Sequence, residues 1–301
     1  AHFKYINSVE LYSRANICPA TKASHLMTRL NSVCSLLFVP GDRPERFAKA
    51  VAAAPGAVIL DLEDSVGKDS KAAARGYVKA FLDGVSDAQI LLRINAADTN
   101  DYHLDLSLAQ HPNLAGVVLS KAEAENTKAT AEIINCPLWP LIESARGLGE
   151  LSSTVQVPGV ARLLYGTLDL ALELGLDINH EGGLSMLNQG RFLLLTESLK
   201  AGLPAPLDGV CPTINDQHQL RRTAQYSAAA GMGGMMCIHP NQISIVESIF
   251  APSYAQIEWA SAVVNAAATR GSSFQFRGQM VDEPVLKLAL KILNKSKFQQ
   301  T

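Results

Sequence analysis

Aromatic residues make up only 6% of this 301-residue chain, and cysteines number five. Cys18, Cys34, Cys136, Cys211 and Cys237 contain no C-x-x-C pair, which argues against a thiolate zinc site and a disulfide framework. Buried free thiols and a cytoplasmic location are the expectation. Charge of one sign is also missing: 26 Lys and Arg stand against 28 Asp and Glu, for a net charge of −2 with both signs interspersed. A nucleic-acid partner is not expected, because phosphate binding needs a concentrated basic face. No apolar run reaches the length of a membrane-spanning helix, so no membrane partner is expected either. The start of the chain has no basic-then-apolar signal pattern. The sequence has no H-x-x-x-H, P-loop, G-x-G-x-x-G or G-x-S-x-G motif. Any chemistry must therefore be assembled from residues far apart in the chain.

What is present is a rhythm. Hydrophobic residues form 48% of the chain, enough for a large core. Eight short apolar runs recur: Ser35–Val39, Ala57–Leu60, Gln89–Ile94, Gly116–Leu119, Leu138–Ile142, Arg162–Tyr165, Leu207–Cys211 and Gly234–Ile238. Helix-like stretches separate them, among them Arg43–Ala54, Lys68–Leu82, Glu123–Ile134 and Gln217–Ala230. Eight strand–helix units predict an α/β fold of the TIM (β/α)8 barrel type, with a doubly wound open sheet as the competing architecture. The longest gap, between the sixth and seventh runs, predicts an inserted helix near Leu184–Ala201. Residues 1–31 read as an N-terminal extension, 32–250 as the barrel and 251–301 as a C-terminal helical arm. In that arm two helices, Tyr254–Arg270 and Pro284–Asn294, flank a polar loop, Gly271–Glu283.

Barrel enzymes keep their chemistry at the C-terminal ends of the strands. The second run ends in three acids, Asp61, Glu63 and Asp64, which repel one another unless cations or donors meet them. The third run carries Arg93 among Leu91, Leu92 and Ile94; burying a guanidinium there requires anionic partners, and those acids are the candidates. The fourth run ends in Lys121, the fifth in Glu143, and the sixth leads through Gly166 to Asp169. Glu143 and Asp169 suit Mg²⁺, which takes a few hard oxygen ligands and keeps its waters. The alternative makes them structural carboxylates, with Glu143 paired to Arg146. Pro44 opens a helix after Val39-Pro40-Gly41, where backbone amides with Arg43 and Lys49 could seat phosphates. His239, before Pro240, reads as a packed strand-end residue rather than a ligand.

Taken together, these stretches resemble the citrate lyase beta subunit-like family, which includes malyl-CoA and citramalyl-CoA lyases. The similarity runs from about Ser35 to Leu293. It rests on Leu37-Phe38-Val39-Pro40-Gly41-Asp42-Arg43-Pro44-Glu45-Arg46-Phe47, Ile59–Val66, Leu92–Asn95, Lys121-Ala122-Glu123, Pro140–Gly147, Gly166 to Asp169, Ile238-His239-Pro240 and Met280–Pro284. Cys34, Met235 and Ser120 depart from the common pattern, which carries Arg, Lys and Pro there.

The resemblance implies a Mg²⁺-dependent TIM barrel enzyme that cleaves a carbon–carbon bond in a CoA thioester, with citramalyl-CoA placed first and malyl-CoA next. It implies that Glu143 and Asp169 hold the metal and that Arg93 binds near the thioester oxygen. Phe38, Arg43, Lys49, Ile238 and His239 match positions of the substrate and CoA site. Asp61, Glu63, Asp64 and Lys121 match its supporting shell. Asp282 matches a general acid on an arm that reaches an adjacent subunit, in a homo-oligomer that is usually a trimer. The rival activities are a citryl-thioester lyase subunit working in a complex and a metal-dependent aldolase on free hydroxy-keto acids.

Overall fold

The computed structural model describes residues 30–85, 88–270 and 273–297. Eight parallel strands close into a barrel in sequence order: β1 (Ser35–Pro40), β2 (Ala57–Asp61), β3 (Ile90–Ile94), β4 (Gly116–Leu119), β5 (Leu138–Ile142), β6 (Leu164–Tyr165), β7 (Leu207–Asp208) and β8 (Gly234–Cys237). The ring closes where Ser35 pairs with Met235. The expected barrel is thus the observed one, and the open sheet is excluded.

Apart from Ser35, Asp61, Arg93 and Asp208 the strands are apolar, because they are buried on both faces. β2 and β3 have no exposed residue. The two-residue period then sorts side chains inward or outward. Leu36, Ile59, Leu91, Val118, Trp139, Leu164, Leu207 and Met236 pack together inside the barrel. Their neighbours Leu37, Val58, Leu60, Leu92, Val117 and Leu138 join the larger core that packs against the helices. Each such fully buried side chain contributes about 1.5–3 kcal/mol. Leu30 and Val33 are buried with the inner cluster, at the N-terminal ends of the strands.

Around the barrel run α1 (Phe47–Ala52), α2 (Lys71–Asp83), α3 (Asn100–Ala109), α4 (Ala124–Ala131), α5 (Ala145–Gly149), α6 (Leu151–Thr154), α7 (Thr167–Glu173), α8 (Glu181–Lys200), α9 (Gln217–Ala229) and α10 (Pro240–Phe250). Three expectations need correction here. The helix read over 43–54 is a 3-10 turn at Pro44–Arg46 followed by α1. The long helix between the sixth and seventh strands is not an insertion. It packs directly on β6, where Tyr165 donates to the Leu187 carbonyl at 3.2 Å and Gly190 leaves room for the phenol. The additional element is α7, at the C-terminal end of β6. Finally, β6 and β7 are shorter than read. Arg162 is not in a strand but donates from Nε to the Ala205 carbonyl and from Nη1 to that of Val33, both at 2.7 Å.

Beyond α10, α11 (Tyr254–Arg270) and α12 (Glu283–Lys297) pack on each other. Between them the expected loop is instead an antiparallel hairpin, β9 (Phe274–Phe276) with β10 (Gln279–Val281). Its turn places Arg277 and Gly278 at φ 48° and 81°, the positive values a tight two-residue hairpin demands. Phe274, Phe276 and Val281 share an apolar cluster with Val263, Val285 and Ala289. The polar residues flanking so short an alternation hid it. The expected N-terminal extension lies outside the described residues, apart from its last two positions.

Candidate active site

The inward row of the barrel continues past its apolar layers and becomes polar at the C-terminal ends of the strands. Two residues beyond Leu36 stands Phe38; beyond Ile59, Asp61; beyond Leu91, Arg93; beyond Leu141, Glu143. Strand alternation alone therefore delivers these side chains to one mouth. Register places Asp61 directly beside Arg93.

Arg93 is 8% exposed and Asp61 fully buried. Arg93 Nε and Nη2 each donate to one Asp61 oxygen at 2.6 Å, a bidentate pair. Arg93 Nη1 lies 3.1 Å from Glu63 Oε2 and 3.9 Å from Asp64 Oδ2. The Phe38 ring covers the guanidinium, 4.7 Å from centroid to Cζ. Asp61 also accepts from the amides of Glu63 (2.9 Å) and Ser65 (3.2 Å) and from the Ser65 hydroxyl. Burial works to raise the Asp61 carboxyl, but Arg93 and these donors hold it below the usual range. Arg93 is raised in turn: Asp61, Glu63 and Glu143 outweigh its burial. The expected partnership of Arg93 with the second run's acids is the observed one.

Glu143 is nearly buried, and one oxygen accepts from the Lys121 backbone amide at 2.8 Å. Lys121 sits at φ 48°, a strained setting for a lysine, and that turn aims its amide at Glu143. Burial pushes Glu143 up to about 8, helped by Glu63 and Asp169 and opposed by Arg93 and the Lys121 amide. Burial pushes Glu63 up to about 7, with Arg93 opposing and Asp64 and Asp61 adding to the rise. Asp169, in the first turn of α7, is raised by burial and by Asp64, against Arg93 and Lys121. Gly166, ahead of α7, leaves space beside Glu143. A Cβ there would overlap Glu143 Cβ and lie 2.6 Å from Oε2. Arg146 bonds Glu150 and pairs with Glu123, so the alternative Glu143–Arg146 pairing is not what forms.

The other expected residues are scattered more widely. Arg43 is exposed beside Asp42, and Lys49 is exposed on α1. Ile238 is partly exposed after β8. His239 is partly exposed and caps α10, its Nδ1 accepting from the Asn241 amide. Asp282 is exposed at the start of α12, where it accepts from the Val285 amide at 3.4 Å. None of its hydrogen bonds or ion pairs among the described residues is with the barrel-mouth groups.

Lys71 was not legible as a site residue. Its ammonium donates to the carbonyls of Leu62 (2.8 Å) and Glu63 (3.1 Å) and to Asn95 Oδ1 (2.5 Å). A lysine in the first turn of a helix reads as a solvent charge. The available signal was Arg75 four residues on, which places both cations on one face of α2. Among the described residues, no group of three or more His, Cys, Asp and Glu side chains is arranged as metal ligands.

Residues 34–240 match the family model described as HpcH/HpaI aldolase/citrate lyase. The chain is 35% identical over 262 residues to a citrate lyase subunit beta-like protein of Mycobacterium tuberculosis, covering 86% of this chain and 94% of the relative. A (3S)-malyl-CoA thioesterase of Cereibacter sphaeroides is 31% identical over 75% of this chain and 80% of its own. The fold is similar to the M. tuberculosis CitE protein in complex with magnesium, acetoacetate and coenzyme A (TM-score 0.78, 33% identity, 89% of this chain and 99% of that one). It is similar too to the same protein with magnesium and pyruvate (TM-score 0.70, 32% identity, 88% and 99%). By its barrel, its strand-end residues and these similarities, the chain belongs to the HpcH/HpaI aldolase/citrate lyase family.

Proposed function

We propose that the protein is a Mg²⁺-dependent carbon–carbon lyase of CoA thioesters that cleaves (S)-citramalyl-CoA to acetyl-CoA and pyruvate. The observation that carries this reading is one barrel mouth combining a locked guanidinium, Arg93, with the carboxylate pair Glu143 and Asp169. That pair fits a hard divalent cation. Without one, burial drives Glu143 toward its protonated form, and Gly166 keeps the space beside its oxygen open. Glu143 and Asp169 would hold the ion, with Asp61, Glu63, Asp64 and Lys121 around them. When bound, the ion supplies a Lewis acid that acidifies the substrate hydroxyl and polarises the forming keto-acid carbonyl.

The chain's own residues do the rest. As the hydroxyl passes its proton to solvent water, the bond between the carbinol carbon and the CH₂ breaks, leaving pyruvate and the enolate of acetyl-CoA. Arg93 has N–H groups beyond those used on Asp61 and Glu63, and they meet the thioester oxygen on which the enolate charge collects. Phe38 shields that guanidinium from water and so strengthens its field. Asp282 delivers a proton to the CH₂ carbon as general acid, completing acetyl-CoA. None of the hydrogen bonds or ion pairs of Asp282 among the described residues reaches its own barrel mouth, and in this reading it serves a neighbouring subunit in a homo-oligomer, most simply a trimer. Arg43 and Lys49 meet the CoA phosphates, and Ile238 and His239 line the approach to the site.

Magnesium, coenzyme A and pyruvate in structures of the M. tuberculosis relative support this choice of cofactor, carrier and product. The relative named a (3S)-malyl-CoA thioesterase favours a second reading, in which malyl-CoA is the substrate and its thioester is hydrolysed. Assaying citramalyl-, malyl- and citryl-CoA with Mg²⁺ for acetyl-CoA, keto acid and free CoA separates the two. Equal amounts of acetyl-CoA and pyruvate, fastest from citramalyl-CoA, are expected. Free CoA and malate as the main products would replace the first reading with the second.

A further inference from the structure

Lys71 stands where elementary electrostatics disfavours it. It begins α2, so its charge faces the positive end of the helix dipole. It is 8% exposed, so its ammonium has left water. Its three hydrogen bonds go to neutral oxygens, and none of the ion pairs among the described residues involves it. Three donors on three acceptors saturate the group. A saturated buried cation without a carboxylate partner contributes little net stability. What it does fix is geometry.

Two of its acceptors are consecutive carbonyls, Leu62 and Glu63, in the segment that carries the site acids out of β2. The third is Asn95, two residues beyond Arg93. Asn95 is itself pinned: Nδ2 donates to the Leu62 carbonyl (2.9 Å) and to Asp105 (2.6 Å), and its amide donates to Asp105 (3.0 Å). The far oxygen of Asp105 is held by Arg75 at 3.0 Å, one helical turn from Lys71. One face of α2 thus ties the outgoing ends of β2 and β3 together, immediately behind the Asp61–Arg93–Glu63 contact.

We propose that Lys71 is a positioning residue: its ammonium clamps the Leu62–Glu63 main chain to Asn95 so that Glu63 and Asp61 hold Arg93 aimed into the mouth. The kinetic consequence rests on the lyase reading of that mouth; the structural one does not. Loss of the clamp leaves the mouth accessible to substrate but lets the guanidinium drift, and drift near an ångström costs rate rather than binding.

The test compares Lys71→Met and Lys71→Arg with the wild-type chain and with Tyr102→Phe. The last removes a buried hydrogen bond to Thr130 while leaving every hydrogen bond of Lys71, Asn95 and Asp105 in place, and serves as a stability control. Hydrogen exchange is followed in the peptide covering residues 61–66, alongside kcat and KM on the preferred thioester. Lys71→Met is expected to exchange faster there while peptides from β4 to β6 are unchanged. Its kcat should fall at least about tenfold with KM nearly constant. Lys71→Arg, which keeps a cation but offers a planar fork, should fall between. Tyr102→Phe should lower Tm only. Unchanged exchange in 61–66, a kcat loss no larger than the control's, or failure of both Lys71 variants to fold would overturn the proposal. A wild-type chain inert on every thioester would refute the lyase reading, while the exchange measurement would still decide the clamp.

Discussion

The Arg93–Asp61 pair sets the energetics at the scale of single residues. Both groups are buried, and the guanidinium makes two parallel bonds to the carboxylate. Arg93→Lys keeps the charge but loses the fork, so Asp61 keeps its Glu63 and Ser65 donors and loses the bidentate partner. Losing one charge-assisted bond of the pair costs about 1.5–3 kcal/mol, and losing the oxyanion donor costs about 10²–10³ in kcat. Chemical denaturation and steady-state kinetics on one preparation read both. Glu143 gives a pH prediction. Its folded pKa, about 8, lies above its ordinary value of 4.5, so between those values the folded protein binds the extra proton. Stability of the metal-free protein therefore falls as pH rises through that window. With EDTA present, Tm should be lower near pH 8 than near pH 5.5. Glu143→Gln should flatten that slope, and Mg²⁺ should raise the wild-type Tm most at the upper end. A slope identical in the variant would contradict the assignment. Arg93 was legible because a charge inside an apolar run demands partners. Lys71 was not, because two of its three acceptors are backbone carbonyls, which leave no trace in sequence.

Secondary-structure elements explain where the sequence could be read and where it could not. Strands buried on both faces appear as unbroken apolar runs, so all eight were legible, and β4 and β5 match to the residue. The sixth run was read too long because Arg162 looks like a strand residue among apolar neighbours. It caps the barrel floor instead, where burial pushes its guanidinium down to about 10 against the opposing influence of Cys34. Arg162→Met should leave the carbonyls of Val33 and Ala205 unmet and cost about 1–3 kcal/mol of stability, with kcat unchanged because the floor is remote from the mouth. The β6–α7 junction behaves oppositely. Gly166→Ala would press a methyl group into Glu143. It should weaken Mg²⁺ binding, seen by calorimetry, far more than it lowers Tm.

For the whole molecule, the issue is what one chain supplies. The barrel brings Phe38, Asp61, Glu63, Arg93 and Glu143 together, while Asp282 is exposed on the arm and accepts from the Val285 amide. A proton donor acting across subunits predicts complementation. On the proposed roles Glu143→Gln loses a metal ligand and Asp282→Asn loses the donor, so each homo-oligomer should be inactive. Mixed oligomers contain some intact mouths facing intact arms, and activity should return on subunit exchange. Asp282→Asn alone should still bind Mg²⁺. Inactive mixtures, with exchange verified by mass, would place the donor elsewhere. No described helix is long and apolar enough to cross a membrane.

The central claim is metal-dependent cleavage of a CoA thioester, and turnover of (S)-citramalyl-CoA by the purified chain with Mg²⁺ and then with EDTA tests it most directly. The account predicts acetyl-CoA and pyruvate in equal amounts with Mg²⁺ and no product with EDTA. Equal turnover in EDTA, or no cleavage of citramalyl-, malyl- or citryl-CoA under either condition, would contradict it.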